Sequence, residues 1–207
     1  MSMNIKVERL GKRFQREWIV RRFSYEFSVG QIYAVRGPNG SGKSTLLKML
    51  SSHLSPSKGK VTFFQDQKEI PIADIYLQLA YAAPYIELIE ELSLEEAIRF
   101  HLRFKNLLDG LSANDLIDIL GFQASRKKQI RFFSSGMKQR LKLALAICSN
   151  TRLLLLDEPT TNFDEQGIQW YRDLIQKYSK DRIVIIASNV DLDFDFAQHE
   201  IHILDYK

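Results

Sequence analysis

Apolar residues along this chain fall into two rhythms, and the change of rhythm divides it. Up to residue 92 most runs are short. Residues 4–9, Trp18-Ile19-Val20, Phe23 to Val29 with partial alternation, Gln31 to Arg36 and Val61-Thr62-Phe63-Phe64 read as strands, being rich in β-branched and aromatic residues and bounded by Gly, Pro and Ser. The exception is 43–52, where Leu46, Leu47, Met49 and Leu50 share a helical face. Ser55 to Gly59 closes that helix with a turn. The polar residues 65–71 are expected to be a connection and Leu77 to Ala83 a further strand.

From residue 93 the spacing becomes helical. Ser93-Leu94-Glu95-Glu96 has the form of a capping box, serine at the N-cap and glutamate three positions on. Ser112 to Asp115 opens a second helix that stops at Gly121, and a long helix is expected from Ser135 to Ser149. Strands and helices alternate again from Leu153: a strand with four consecutive leucines, a helix near 165–179, a strand Arg182 to Ala187 and a last strand Glu200 to Leu204. An unbroken apolar strand is one buried on both faces, as in a parallel sheet. The fold expected is α/β, one domain over 1–207: a β core from 1–92 and 150–207, a mostly parallel sheet with an antiparallel β edge, and an inserted helical sub-domain over 93–149.

Composition excludes some roles. The 29 Lys+Arg against 25 Asp+Glu leave a net charge of +4, too mild for a dedicated nucleic-acid binder. Arg9, Lys12, Arg13, Arg16, Arg21 and Arg22 cluster, as do Arg126, Lys127 and Lys128. Such runs are solvated surface, or a face toward anionic lipid or nucleic acid. The single cysteine, Cys148, sits in an apolar run and reads as a core residue, which suits a reducing cytoplasm. The N-terminal segment 1–6 lacks the apolar stretch of a signal peptide, and no run reaches the ~20 apolar residues of a membrane span. His53, His101, His199 and His202 are not at ligand spacing and read as structural.

Chemistry concentrates in three places. Gly37-Pro38-Asn39-Gly40-Ser41-Gly42-Lys43-Ser44-Thr45 fits G-x-x-x-x-G-K-[ST], the Walker A or P-loop, between a strand and a helix. A phosphate chain is wrapped by backbone N–H groups, so Cβ atoms must be absent where the backbone curls in. Gly37, Gly40 and Gly42 meet that need. Lys43 supplies charge for the β- and γ-phosphates, Ser44 a hydroxyl for Mg²⁺, and the helix dipole adds to both. Second, Leu153 to Leu156 ends in Asp157-Glu158. Ligands of open α/β sheets sit at such strand ends. Asp157 is placed to hold Mg²⁺ through water, and Glu158 to polarise an attacking water. Third, Phe133 to Arg140 puts a hydroxyl and open amides at a helix N-terminus, an anion site. One P-loop with a second phosphate site suggests two chains sharing nucleotides.

These motifs resemble the nucleotide-binding subunit of ATP-binding cassette (ABC) transporters over nearly the whole chain. Gly37 to Thr45 matches the family form residue by residue. Ser134-Ser135-Gly136-Met137-Lys138-Gln139-Arg140 is similar to its signature L-S-G-G-Q-x-Q-R, with Ser135 for the first Gly and Met137 for the Gln. Asp157-Glu158-Pro159-Thr160 matches the Walker B extension, Asp164 the acid of the D-loop, and Phe14 falls where an aromatic ring stacks on adenine. The resemblance implies a P-loop NTPase core of ABC ATPase fold, with ATP and Mg²⁺ as ligands. It implies a head-to-tail pair of subunits in which Ser134 and Gly136 of one reach the γ-phosphate held by the other. It also implies a separate transmembrane permease, a place on the inner face of the cell membrane, and no nucleic-acid partner. Two positions depart from the family. Its Q-loop glutamine is replaced by Pro84 or Tyr85, with Glu87 out of position, and its switch histidine is Asn189. An amide can hydrogen-bond a γ-phosphate but carries no positive charge. Hydrolysis is expected, at a reduced rate. The other readings are a soluble ABC ATPase acting on nucleic acid or protein assemblies, and a weakly hydrolysing regulatory cassette. The loop Pro84 to Ile89 is either ordinary packing or a coupling surface for the membrane subunit.

Overall fold

The first strand, β1 (Met3–Phe14), shows how local sequence sets local structure. Met3, Ile5 and Val7 are buried while Asn4 and Lys6 are exposed, the period of two that a half-buried strand requires. The alternation then breaks at a bulge. Arg9 takes a left-handed φ of 48°, and the pairing with β2 (Glu17–Ser28) shifts between Val7 and Leu10. β3 (Ile32–Arg36) leads into α1 (Lys43–Leu50), after which β4 (Lys58–Gln65) returns against β1. Gly59 on β4 crosses that bulge closely. A Cβ there would lie 2.3 Å from the Glu8 carbonyl oxygen and 2.4 Å from that of Arg9, at a φ of +75°, so only glycine fits.

The structure is a computed structural model and describes residues 3–108 and 110–207. Met1 and Ser2 of the N-terminal segment considered above lie outside it. β4 and β5 (Lys68–Ile70) form a hairpin, so the polar stretch 65–71 is not merely a connection. Asp66 and Gln67 both have positive φ, 48° and 68°, the primed turn that suits a two-residue hairpin. Asp-Gln lacks the usual Asn-Gly signal, which is why the sequence pattern hides it. The antiparallel sheet runs β2-β1-β4-β5.

The second sheet has the order β6-β7-β8-β3-β9 and contains β6 (Leu79–Ala82), β7 (Leu153–Asp157), β8 (Ile183–Ser188) and β9 (His199–His202). Its β7–β8, β8–β3 and β3–β9 pairs are parallel. Every residue of β7 and β8 is buried. At about 1.5–3 kcal/mol for each buried Leu or Ile side chain these strands are a main source of stability. Two expected strands are shorter than their apolar runs. Ile72–Gln78 is a 3₁₀ helix after Pro71, leaving Leu77 exposed, and only Leu79 onward joins the sheet. β9 stops at His202 because 203–206 turn as 3₁₀, burying Ile203.

The helices are α2 (Leu94–Leu102), α3 (Ala113–Leu120), α4 (Ser135–Ile147) and α5 (Glu165–Tyr178). α2 and α3 both begin with a complete capping box, Ser93 with Glu96 and Ser112 with Asp115. α4 ends at Ile147, two residues before the expected Ser149, and Cys148 is buried at its C-cap. The chain forms two compact units. One holds the chain up to Tyr81, Thr151–Glu158 and Ser179–Lys207, and the other Ala82–Asn150 and Pro159–Tyr178. α5 groups with the helices of the second unit because it packs on α4, whereas the sequence spacing set it with the sheet. Trp170 on α5 donates its indole N–H to the Ile119 carbonyl at 2.9 Å, and the Arg140 guanidinium lies 5.3 Å from the Trp170 ring and 5.9 Å from that of Phe163. No helix among the described residues is long and apolar enough to cross a membrane.

One histidine of the second unit gives a measurable pH dependence. His101 Nε2 lies 2.8 Å from Ser149 Oγ. Burial, and then the charge of Lys105, push its pKa from 6.5 down to about 4. The folded state therefore keeps the ring neutral where the unfolded chain would protonate it. This contribution is complete above pH 6.5 and is lost as pH falls from there toward 4. Between pH 7.5 and pH 5 it should cost about 2 kcal/mol of stability. Urea denaturation at the two pH values should show that difference, and His101→Gln should flatten it; an equal dependence in the variant would count against the assignment.

Candidate functional site

The loop between β3 and α1 is built from positions where a side chain is forbidden. Gly37 has φ +154° and Gly42 φ +102°. A Cβ on Gly37 would meet Ile203 Cγ2 at 2.6 Å and Ser41 Oγ at 2.7 Å, and one on Gly42 would meet Ile19 Cγ2 at 2.9 Å. The amide of Ser41 donates to the Pro38 carbonyl at 3.1 Å, closing the curl. Pro38, Asn39 and Gly40 are exposed at its rim, while Ser44 and Thr45 are half-buried on the first turn of α1. Ser41 Oγ is buried and has no hydrogen-bond partner among the described residues, a donor left over for an incoming oxygen.

Lys43 is buried, and its ammonium donates to the carbonyls of Gly37 at 2.8 Å and Pro38 at 3.3 Å. Its third contact is Glu158 Oε1 at 3.3 Å. Those are three partners for three N–H bonds. A nearly dry ammonium held over a curl of amides is a strong attractor for a polyphosphate, because little water must be removed from it.

β7 places the acids. Asp157 is its last residue and is buried. Glu158 follows with a φ of +46°, and its amide donates to the Ala187 carbonyl of β8 at 2.8 Å. Its Oε2 accepts from Ser188 Oγ at 3.2 Å. Sequence reasoning passed over Ser188. The signal was a hydroxyl ending the apolar run Ile183 to Ala187, where a buried polar group needs a partner. Asn189, next in the chain, is exposed. Phe14 ends β1 with a ring 48 % exposed, and the Lys12 ammonium stands 5.2 Å from it. Ser44 and Asp157 supply hard oxygen donors that suit Mg²⁺ or Ca²⁺. No group of three or more His, Cys, Asp or Glu poised for a metal occurs among the described residues, so such an ion would take its remaining ligands from phosphate and water.

The second unit carries the other motif residues. Ser134 is the N-cap of α4 and its Oγ accepts the Met137 amide at 3.2 Å. Ser134 and Ser135 are exposed, Gly136 and Met137 half-buried. At Gly136 φ is not left-handed, and the nearest atom to an added Cβ would be the Asn162 carbonyl oxygen at 3.6 Å, ordinary contact. Nothing within the unit demands glycine there. Gln139 is buried and donates to the Pro159 carbonyl at 2.9 Å. Asp164 Oδ1 accepts the Gly167 amide at 2.8 Å, which caps α5. Pro84 and Tyr85 are exposed; the Lys142 ammonium donates to the carbonyls of Ala83 and Pro84, and its partial burial lowers its pKa.

The family model described as ABC transporter matches residues 20–161. The uncharacterised ABC transporter ATP-binding protein YcbN of Bacillus subtilis is 31 % identical over 181 residues, covering 87 % of this chain and 59 % of that protein. The lantibiotic transport ATP-binding protein SrtF of Streptococcus pyogenes is 30 % identical over 190 residues, 89 % of this chain and 79 % of that one. This chain thus spans less than two thirds of the Bacillus protein. The solved structure of an ABC transporter ATP-binding protein from Pyrococcus furiosus superposes with a TM-score of 0.82 over 99 % of both chains at 23 % identity, the same fold.

Proposed function

We propose that this chain, which belongs to the ABC transporter family as an ATP-binding ATPase subunit, hydrolyses ATP between two copies of itself, or itself and a like subunit, and so drives a separate membrane permease. One observation carries the reading: the ammonium of Lys43 sits in a curl of glycine backbone and touches the carboxylate of Glu158. The phosphate grip and the acid for water attack thus share one point.

Each residue has a task. Gly37 to Thr45 wrap the phosphates, Lys43 neutralises them, and Phe14 offers an exposed ring for the base. Ser44 and, through water, Asp157 would hold Mg²⁺, which when bound would neutralise charge on the phosphates. Glu158 orients water and takes its proton. Asn189 donates a hydrogen bond toward the γ-phosphate without charge, which favours slow turnover. Ser134, Ser135, Gly136 and Met137 of the second copy close over the nucleotide. The spare room at Gly136 supports this, because the residue needs to be small only for something arriving from outside. Asp164 then lies beside the junction on the capped start of α5. The chain would work at the cytoplasmic face of the membrane, with Tyr85 and Ile89 among the exposed apolar groups available to the permease.

The test is assembly. With Mg²⁺ and a non-hydrolysable ATP analogue the purified chain should sediment at twice its monomer mass, and with ADP it should return to monomer. A monomer in saturating analogue would rule out a pair of identical chains and leave only pairing with a like subunit. A pull-down from detergent-solubilised membranes should recover a polytopic membrane protein.

A further inference from the structure

We propose that Ser188 is a positioning residue: its hydroxyl holds the Glu158 carboxylate in place when Lys43 transfers to the phosphates, and ties that carboxylate to the loop bearing Asn189. The inference rests on the reading of Glu158 as the group that activates water.

Glu158 has two side-chain partners among the described residues. Lys43 Nζ stands 3.3 Å from Oε1, and Ser188 Oγ 3.2 Å from Oε2. The first is open to competition from the nucleotide. The ammonium has three N–H bonds, already given to Gly37, Pro38 and Glu158, so an arriving phosphate must displace one of them. The phosphate chain carries more negative charge than the carboxylate and competes for that ammonium. The carboxylate is then left with Ser188, a partner the nucleotide has no reason to remove.

Ser188 is suited to that task. It is fully buried at the end of β8, and its backbone is set in the sheet by pairing with Arg36 of β3. Its single O–H is committed to Glu158, while its oxygen accepts the Val190 amide at 3.1 Å. The hydroxyl is therefore a bridge with Glu158 on one side and the backbone just after Asn189 on the other. When Asn189 moves toward a γ-phosphate, the Val190 bond changes, and the hold on Glu158 changes with it. The carboxylate needs such a hold. Glu158 already sits in left-handed backbone, φ +46°, where its amide N–H donates to the Ala187 carbonyl, and a free side chain on that backbone would sample several rotamers.

The test compares kcat with KM. Ser188→Ala should lower kcat roughly 10- to 150-fold, the scale of one lost hydrogen bond to a charged group, with KM for ATP within about twofold. Ser188→Thr, which keeps the hydroxyl, should recover most of the rate. In single-turnover measurements, adding Ser188→Ala to Glu158→Gln should cause no further loss, since the hydroxyl acts through the carboxylate. An unchanged kcat in Ser188→Ala overturns the proposal. So does a loss of equal size in the Glu158→Gln background. Should Ser188→Ala unfold, Ser188→Cys, close in size but a weak donor, carries the same comparison. If Glu158→Gln alone leaves hydrolysis intact, the role of Glu158 itself fails, an outcome distinct from a failure of Ser188.

Discussion

Replacing Glu158 by glutamine should slow steady-state ATP hydrolysis by roughly 10²- to 10³-fold while leaving ATP affinity equal or tighter. The amide keeps the size and shape of the carboxylate, so β7, β8 and the bond pattern around Ser188 should survive. What it loses is the ability to accept a proton from water, and general-base catalysis typically contributes about 10²- to 10⁴-fold. It also loses its charge toward Lys43, 3.3 Å away. An ammonium released from that pair is freer to meet a phosphate, so binding should not weaken. Saturating Mg-ATP should then trap a dimer that survives size exclusion. Wild-type turnover in the variant would remove Glu158 from the mechanism.

Lys43→Ala should act at the other end, abolishing nucleotide binding rather than turnover. A buried ammonium bonded to two carbonyls and one carboxylate is lost at once. Truncating one partner of a buried charge contact costs about 2–5 kcal/mol. Each 1.4 kcal/mol is about a factor of ten, so ATP affinity should drop about 30- to 4000-fold. Glu158 adds to the loss, because its carboxylate would face the γ-phosphate uncompensated. Titration with a fluorescent ATP analogue reads this directly, with circular dichroism to show that the fold is kept. Tight binding by the variant would mean that the phosphates are held elsewhere.

The candidate site was legible in the sequence where its chemistry depends on neighbouring residues. A phosphate loop needs glycine at three spaced positions with lysine next to the last, so Gly37 to Lys43 announces itself. The acids Asp157 and Glu158 stand out because two carboxylates end an otherwise apolar strand. The capping boxes at Ser93 and Ser112 are also local bonds, and both are formed. What stayed hidden was long-range or depended on turn geometry. The Asp66-Gln67 turn carries an unusual pair for its shape. Leu77 reads as strand by composition but lies in a 3₁₀ turn set by Pro71. Ser188 lies just past the expected strand Arg182 to Ala187, and only the fold puts its hydroxyl 3.2 Å from Glu158, thirty residues away.

Sequence alone determined the family, the glycine-rich turn between β3 and α1, the two acids that end β7 and the alternation of strands and helices, because each follows from residue type at short spacing. Tertiary structure decided which groups meet: Lys43 with Glu158, Glu158 with Ser188, Arg140 with Phe163 and Trp170. The reason is physical. Periodicity and backbone preference act over a few residues and can be read along the chain, whereas a contact between distant side chains exists only after parallel strands have set their register, and no local pattern encodes that register.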